Sequence, residues 1–253
     1  MREFIKDKLT VKIFENRKLM GEAVATAVSE QINELLRKQA FVNIIFGAAP
    51  SQNEFFESLL TKDIDWSRLN AFHMDEYVNL ASAAPQGFGN FLKKHLFDLV
   101  PFHTVNYIDG NVKDYKAECL RYAELLNQFE TDIVCLGIGE NTHLAFNDPH
   151  VADENDSYFV KRVDLDETCR TQQVNDGCFK TIDEVPTHAL TLTLPALLKA
   201  PYAFCTVPTE KKAQAVYYTL NEKIGDNFPS TLLRKHKNAV LFLDDQSIKR
   251  IGI

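Results

Sequence analysis

The chain has 253 residues, 45% of them hydrophobic and 25% charged, which is ample for a buried core. Its formal net charge of −7 argues against nucleic acid or an anionic membrane as a partner, because like charges repel. No run approaches the roughly 18 apolar residues of a membrane span, no secretory signal is predicted, and five cysteines without metal-binding spacing indicate a cytoplasmic protein without structural zinc.

Strands and helices are predicted to alternate along the chain. Apolar residues at near-helical spacing predict a first helix over 16–39, with Asn16 as its N-cap. Further amphipathic segments predict helices over 53–60, 89–100, 112–129 and 210–223. Short apolar runs predict strands over 41–46, 69–77, 105–109, 132–139, 202–208 and 238–245. The segment 187–200 predicts a strand that enters a helix near Pro195.

This alternation predicts one α/β domain over residues 1–253, with no linker and no internal repeat. The central strands are uniformly apolar, as expected when helices cover both faces of a sheet. We therefore predict a doubly wound, mostly parallel sheet with helices on both faces, which is Rossmann-like in architecture. Ligands of such sheets bind outside the carboxyl ends of the strands, and three polar clusters fall there, at 47–52, 73–77 and 139–149.

The loop "GAAPSQ" after the strand over 41–46 has the features of a phosphate-binding loop. Its small residues Gly47, Ala48 and Ala49 let the backbone approach a ligand, and the following helix start offers free N–H groups. Ser51 adds a hydroxyl donor. An ordinary strand-to-helix turn, capped by Ser51 or Asn53, explains the same residues and stays open as the alternative.

The segment "FHMDEYVNL" brings two adjacent carboxylates, Asp75 and Glu76, to a strand end. A carboxylate in that position acts as a base when burial raises its pKa toward neutrality. The alternative is that Asp75 caps a loop and that Glu76 is solvated.

The segment "GIGENTHLAFNDP" is the richest in titratable groups. His143 suits proton transfer near physiological pH, and Asp148, five residues on, is able to hydrogen-bond one ring nitrogen and set the tautomer. The alternative is a surface histidine in a polar loop. No second His or Cys stands at ligand spacing from His143, so no metal is predicted.

Two further segments offer cations for an anionic ligand. The run "EKKAQAV" places Lys211 and Lys212 in the first turn of a helix, where a bound anion or plain solvation offsets the unfavourable helix dipole. Arg170, in "DETCRTQQV", is a second candidate partner for an anion.

Taken together, these segments resemble the glucosamine-6-phosphate deaminase (isomerase) family, which shares its fold with the 6-phosphogluconolactonases. The resemblance covers nearly the whole chain and rests, in order, on "GAAPS", "FHMDEYVNL", "GIGENTHLAFNDP", "VPTHALTLTLPALL" and "EKKAQAV". The deaminase pattern is N-M-D-E-Y followed by G-x-G-x-D-G-H-I-A-F-N-E-P, whereas a lactonase shows D-E-R and G-H-x-A-S-L-F-P. Tyr77 and the run "AFNDP" side with the deaminases.

The resemblance implies a catalytic role for three residues. Asp75 matches the carboxylate that moves a proton between C2 and C1 of the opened sugar. His143 matches the histidine that assists ring opening, and Asp148 stands where the family has a Glu that orients this histidine.

The resemblance also implies which residues bind the phosphate. Ser51 and the loop from Gly47 match the phosphate loop. Lys212 is our choice for the phosphate-binding lysine, although Lys211 fits when the alignment is taken from upstream. No residue cleanly matches the family's phosphate-binding arginine, and Arg170 is the nearest candidate.

Two departures from the family pattern mark a divergent branch. Asn141, which we count with the catalytic residues by its position, replaces an Asp, and Thr142 replaces a Gly. Asn hydrogen-bonds but takes no proton at neutral pH, so the site loses one acid/base group. The departures bear on substrate identity more than on fold, and galactosamine 6-phosphate is a second candidate substrate beside glucosamine 6-phosphate.

The predicted function is therefore aldose–ketose isomerisation with deamination of an amino-hexose 6-phosphate, without a cofactor. A sugar-phosphate lactonase and a sugar-phosphate sensor without turnover are the alternatives. The expected partner is a small sugar phosphate, and a homo-oligomer is left open. Because the chain ends soon after its last predicted strand, we expect no effector control.

Overall fold

The computed structural model describes residues 1–251. Its strands are β1 (Arg2–Lys6), β2 (Leu9–Phe14), β3 (Val42–Phe46), β4 (Leu69–His73), β5 (Asp75–Tyr77), β6 (Thr104–Asn106), β7 (Ile133–Leu136), β8 (Val160–Asp164), β9 (His188–Leu192), β10 (Tyr202–Val207) and β11 (Ala239–Asp244). Its α-helices are α1 (Arg17–Leu36), α2 (Asn53–Leu59), α3 (Phe88–Leu92), α4 (Tyr115–Gln128), α5 (Glu167–Asn175), α6 (Leu194–Leu198) and α7 (Ala213–Asn221). Short 3₁₀ turns at Pro50–Gln52 and Glu210–Lys212 lead into α2 and α7.

Eight strands form the main sheet, in the order β1-β2-β11-β10-β7-β3-β4-β6. Every neighbouring pair is parallel except β1 and β2, which form an antiparallel hairpin at one edge. The four residues of β7 are all buried, as expected for a strand that is covered on both faces. The predicted doubly wound, mostly parallel sheet is confirmed.

The strand order reverses between β3 and β7, which lie side by side at the centre of the sheet. From β3 the chain moves outward to β4 and β6, whereas from β7 it moves the other way to β10 and β11. The two loops that follow β3 and β7 start together, since the N–H of Gly47 donates to the carbonyl of Cys135 at 2.8 Å. They then diverge and leave a crevice between them, which is where sheets of this kind bind ligands.

Helices cover both faces of the main sheet. On one face α1, α2 and α3 bury side chains such as Met20, Phe56 and Leu92 in one core cluster. On the other face α4 and α7 bury Tyr122 and Val216 in a second cluster. Among residues 1–251, no helix is both long and apolar enough to cross a membrane.

A second, smaller sheet of three antiparallel strands, β5-β9-β8, was not predicted. The strand predicted over 69–77 is wrong in one respect: it is two strands, separated by Met74 alone. Its first half pairs in the main sheet and its second half in the small one. The carbonyl of Met74 accepts from the N–H of Leu192 at 2.8 Å, so the backbone changes partners without breaking its hydrogen bonding. Residue pattern does not reveal such a change, because both halves are extended and buried.

The N-cap of α1 is Asn16, as predicted, and its side chain accepts from the N–H of Leu19 at 3.0 Å.

Two further regions differ from the prediction. The hairpin β1–β2 was not predicted, because β1 lies exposed at the sheet edge and shows no continuous apolar run. Helix α5 was not predicted either, since most of its residues are polar and it buries mainly glutamines.

Candidate active site

A cavity of about 440 Å³ opens at the crevice between β3 and β7. The loops after β3, β4, β7 and β10 form its walls together with α5. Its lining includes Arg17, Gly47–Gln52, Met74, Asp75, Phe88, Gly137–Gly139, His143, Ala145, Phe146, Gln172, Gln173, Asp176–Cys178, Pro208, Thr209 and Lys212. The structure thus brings together the three polar clusters that the sequence placed at separate strand ends.

Asp75 is the first residue of β5 and lies on the cavity wall, with only 7% of its surface exposed. No side chain within residues 1–251 hydrogen-bonds its carboxylate, so the carboxylate is free to meet a ligand. Burial, together with the neighbouring charge of Glu76, raises the pKa of Asp75 well above its ordinary value. A carboxyl group in this state is suited to both taking and giving a proton near neutral pH.

Glu76 plays a different part from its neighbour. Its carboxylate accepts from the backbone N–H groups of Tyr77, Phe88 and Gly89, at 2.9, 3.1 and 2.9 Å. These bonds hold the start of α3 against β5. The carboxylate of Glu76 therefore holds backbone groups in place and does not line the cavity, whereas Asp75 does.

His143 and Asp148 lie together on the loop after β7. Nδ1 of His143 is 2.9 Å from Oδ1 of Asp148, so the ring and the carboxylate are in direct polar contact. Burial alone acts to raise the pKa of Asp148, but the contact with His143 and the amide of Asn141 outweigh it and hold that pKa below its ordinary value. An ionised Asp148 keeps a proton on Nδ1 and leaves Nε2 of His143 for proton exchange.

Strand β9 fixes both halves of this site. Thr191 pairs with Asp75 in the small sheet, and its hydroxyl accepts from the N–H of Phe146 at 3.0 Å. The side-chain amide of Asn147 donates to the carbonyl of Leu192 at 2.8 Å. The loop that carries His143 and the strand that carries Asp75 are therefore both attached to β9.

Asn141 joins two carboxylates beside His143. Its Nδ2 donates to Oδ1 of Asp148 and to Oδ2 of Asp166, both at 2.9 Å, and its Oδ1 accepts from the N–H of His143 at 3.1 Å. Asp166 also caps α5, accepting from the N–H of Cys169 at 2.6 Å. A third carboxylate at position 141 would be forced against two others, which accounts for an amide in this chain.

Asn141→Asp is expected to lower kcat/KM at neutral pH on the order of tenfold, because mutual repulsion raises the pKa of the carboxylate cluster and removes charge from Asp148. The acid limb of the pH profile should move to higher pH. Adding Asp166→Asn should recover part of the loss, since Asn caps a helix as well as Asp does. The measurement is kcat/KM against pH for the single and double variants. A single variant with an unchanged profile, or a double variant no better than it, contradicts this account.

The loop after β3 offers backbone donors to the cavity. The N–H groups of Ala48 and Ala49 have no hydrogen-bond acceptor within residues 1–251, and Ser51 accepts from the side chain of Gln52 at 3.1 Å. The N–H of Gly47 is taken by Cys135, so Gly47 anchors the loop and offers no donor. A Cβ at Gly47 would lie 3.3 Å from that same carbonyl oxygen and from the Met74 side chain, which is tighter than usual packing.

The structure separates the two lysines that the sequence left as alternatives. Lys212 is buried and lines the cavity, and its side-chain ammonium makes no hydrogen bond or ion pair with the described chain. Burial lowers the pKa of Lys212, opposed by the charges of Asp176 and Glu140. Lys211 is exposed and donates instead to the carbonyl of Asn175. Only Lys212 is placed to meet an anion in the cavity.

Arg170 is not brought to the cavity. Its guanidinium donates to the carbonyls of Ile182 and Val185, at 2.6 and 2.9 Å, and ties α5 to the following turn. The expectation of an anion contact is therefore corrected, because these donors are already used within the fold. The arginine that does line the cavity is Arg17, which pairs with Glu54 and donates to the carbonyl of Pro50.

Helix α5 supplies cavity residues that sequence reasoning missed. Gln172 and Gln173 line the cavity, and Oε1 of Gln172 accepts from the N–H of Glu140 at 2.7 Å. Asp176 follows at the end of the helix, close to Lys212. The only signal in the sequence was the helix-capping residue Asp166, because glutamines carry no motif of their own.

One group of buried side chains has the makings of a metal site. Ligand atoms of His143, Asp148 and Cys169 all lie within 4.8 Å of one another. Asp148 already accepts from Asn141 and from the N–H of Asp166, and burial raises the pKa of the Cys169 thiol well above its ordinary value. That the reaction needs no metal stays a prediction.

The amino-acid sequence is similar to that of known proteins of one family. The family model described as glucosamine-6-phosphate isomerases/6-phosphogluconolactonase matches residues 15–242. A glucosamine-6-phosphate deaminase of Streptococcus sanguinis (strain SK36) is 31% identical over 198 residues, which are 78% of this chain and 82% of the relative. One of Lactobacillus delbrueckii subsp. bulgaricus (strain ATCC BAA-365 / Lb-18) is 28% identical over 236 residues, 93% of this chain and 97% of the relative.

Solved structures share the fold. A monomeric glucosamine-6-phosphate deaminase matches with a TM-score of 0.86 at 24% identity, covering 94% of this chain and 98% of that chain. A 6-phosphogluconolactonase of Thermotoga maritima matches with a TM-score of 0.77 at 18% identity, covering 94% and 100%. The resemblance drawn from the sequence motifs is confirmed at the level of the family. The chain belongs to the family of glucosamine-6-phosphate isomerases and 6-phosphogluconolactonases.

Proposed function

We propose that the protein is an enzyme that isomerises and deaminates a 2-amino-2-deoxyhexose 6-phosphate, giving a ketohexose 6-phosphate and ammonia. The observation that carries this proposal is that Asp75, a buried carboxylate without a partner, shares one cavity with the His143–Asp148 pair. Relatives that are named glucosamine-6-phosphate deaminases favour this reaction within the family. All three residues come from one chain, so we expect turnover without a second copy.

Ring opening is the first step and falls to His143. Asp148 keeps the proton on Nδ1, so Nε2 is able to take the proton of the C1 hydroxyl. Passing that proton to the ring oxygen breaks the bond between C1 and the ring oxygen and leaves an aldehyde at C1. The fastening of this loop to β9 holds the imidazole in place while the proton moves.

Isomerisation follows and falls to Asp75. Its carboxylate takes the proton from C2 while a proton of the substrate's C2 ammonium group passes to the C1 oxygen, which gives an enolamine. Asp75 then returns the proton to C1, and an imine forms at C2. Water adds to the imine, the C–N bond breaks, and ammonia and the ketone leave. A raised pKa suits both directions of this transfer, because the carboxylate must be a strong enough base to take the proton from C2 and the acid must still be able to return it to C1.

The phosphate is the part of the substrate that Lys212 and the loop after β3 are suited to bind. The free N–H groups of Ala48 and Ala49 and the hydroxyl of Ser51 offer hydrogen bonds to phosphate oxygens. A phosphate beside Lys212 would stabilise its charged form, which burial disfavours. Two negative groups, Asp75 and Asp176, also line the cavity and suit the amino end and the hydroxyls of a sugar better than its phosphate.

Ammonia release from glucosamine 6-phosphate and from galactosamine 6-phosphate tests the proposal directly, with 6-phosphogluconolactone hydrolysis measured beside them. We expect ammonia from at least one amino sugar, and the ratio of the two rates identifies the preferred epimer at C4. Lactone hydrolysis without ammonia would replace the proposal by the hydrolase activity. No turnover of any of the three substrates, with sugar-phosphate binding intact, would favour a sensor.

A further inference from the structure

Five residues other than glycine have a positive φ within residues 1–251, namely Asp7, Asn79, Thr142, Ala145 and Thr209. Asp and Asn tolerate this conformation, but β-branched residues do not. Thr209 has φ 78° and ψ 153°, a region of backbone space that is essentially reserved for glycine. A glycine would adopt this conformation without strain, so the presence of threonine calls for a reason.

The surrounding structure holds Thr209 in place. Asp244, buried at the end of β11, accepts from the N–H of Thr209 through both carboxylate oxygens, at 3.1 and 3.2 Å. The same carboxylate accepts from the N–H of Ser247 at 2.8 Å, which fixes its orientation. The strained backbone of Thr209 is therefore held by a buried carboxyl group whose own orientation is fixed by Ser247.

Thr209 lies beside the unpartnered lysine of the cavity. It lines the cavity, and its carbonyl accepts from the N–H of Lys212 at 3.1 Å, closing the 3₁₀ turn before α7. Thr209 and Lys212 are thus neighbours that both line the same cavity. The hydroxyl of Thr209 makes no hydrogen bond with any other described residue, and it is the polar group that a glycine would lack.

We propose that Thr209 is a phosphate-binding residue, held in a strained backbone so that its hydroxyl donates to a phosphate oxygen next to Lys212. The assignment rests on the proposed function, since it takes the ligand to be a sugar phosphate. It adds a donor from the β10–α7 loop to those of the loop after β3. Folding stability is given up at this position in exchange for affinity.

Three variants separate the hydroxyl from the strain, with inorganic phosphate as the probe in calorimetry. Thr209→Val keeps the shape and the strain but lacks the hydroxyl, so its Kd for phosphate should rise roughly tenfold or more with Tm unchanged. Thr209→Ser keeps the hydroxyl and should bind within about threefold of the original chain. Thr209→Gly loses the hydroxyl and the strain together, so its Kd should rise as for Val while its Tm increases by about 2–4 °C.

Asn79→Gly is the matched control. Asn79 also has a positive φ, of 61°, but it is exposed, lies outside the cavity, and is a residue type that tolerates this conformation. We expect an unchanged Kd for phosphate and no gain in Tm comparable to that of Thr209→Gly. Asn79→Gly also removes the hydrogen bond that Oδ1 of Asn79 accepts from the hydroxyl of Tyr115 at 3.0 Å, so this variant is the control for phosphate affinity and not for backbone strain.

Opposite outcomes overturn the proposal. Thr209→Val with the original Kd would show that the hydroxyl does not contact phosphate, and Thr209→Gly without a rise in Tm would show that no strain is stored. Phosphate binding is measured without turnover, so the assignment is judged separately from the reaction. If the original chain releases no ammonia from an amino-hexose phosphate while Thr209→Val still loses phosphate affinity, the proposed function fails and the assignment stands.

Discussion

Asp75→Asn is expected to lower kcat by about 10²–10⁴-fold, because the amide takes no proton from C2 and returns none to C1. KM should change little, because in the proposed mechanism the carboxylate acts at C2 and C1 while other residues of the cavity bind the phosphate. The measurement is steady-state ammonia release with kcat and KM determined separately. A variant with near-normal kcat would remove Asp75 from the reaction.

The pH profile gives a second readout for Asp75. Activity requires its carboxylate form, so kcat should fall as the pH falls through the raised pKa of Asp75, well above the ordinary value of 3.8. Residual activity of Asp75→Asn should lack this limb. Folding raises the pKa of Asp75, so the free energy of unfolding falls as the pH rises from the ordinary pKa through the raised one. The variant should therefore be at least as stable as the original chain at neutral pH.

Glu76→Gln is the matched control, since it changes the adjacent carboxylate. Glu76 holds three backbone N–H groups and does not line the cavity. We expect kcat to stay within about tenfold of the original and Tm to fall, the reverse of the pattern for Asp75→Asn.

His143→Ala is expected to lower kcat by about 10²–10³-fold, because ring opening loses the group that exchanges protons between the C1 hydroxyl and the ring oxygen. Asp148→Asn should cost about 10²-fold, since an amide no longer fixes the proton on Nδ1 of His143. The double variant should be about as slow as His143→Ala alone, because the two residues act as one unit.

Single-turnover and steady-state ammonia release measure these losses. His103→Ala is the control: His103 is exposed and lies outside the cavity, so its kcat should not change. Losses that simply multiply in the double variant would mean that Asp148 acts independently of His143. That result would return Asp148 to a role in folding the loop.

The sequence predicted which residues meet in the cavity where one strand end carried several informative residues in a row. Asp75, His143 and Asp148 stand in short motifs after apolar strands, and parallel strands bring such ends to one edge of a sheet. Arg170 shows the limit of this reasoning. A basic residue in a polar segment is visible in the sequence, but the backbone carbonyls that take up its guanidinium are not.

Other parts of the site were invisible because they depend on distant contacts. Gln172 comes from a helix without a motif, and its amide meets a loop some thirty residues upstream in the chain. The conformation of Thr209 is fixed by Asp244 on another strand, and nothing in the residue type announces a positive φ. Asn141 is understood only with Asp166 in view, since the second carboxylate is what makes an amide the suitable residue there.

The junction at Met74 has a consequence for which residues of this protein can change without moving Asp75 and His143. Asp75 begins a strand of a hydrogen-bonded sheet, and the loop bearing His143 is fastened to that sheet through Thr191. The cavity residues Gln172 and Gln173 lie on α5, which belongs to neither sheet. Under the proposed function, substitutions on α5 are therefore expected to change which sugar is accepted while Asp75 and His143 keep their positions.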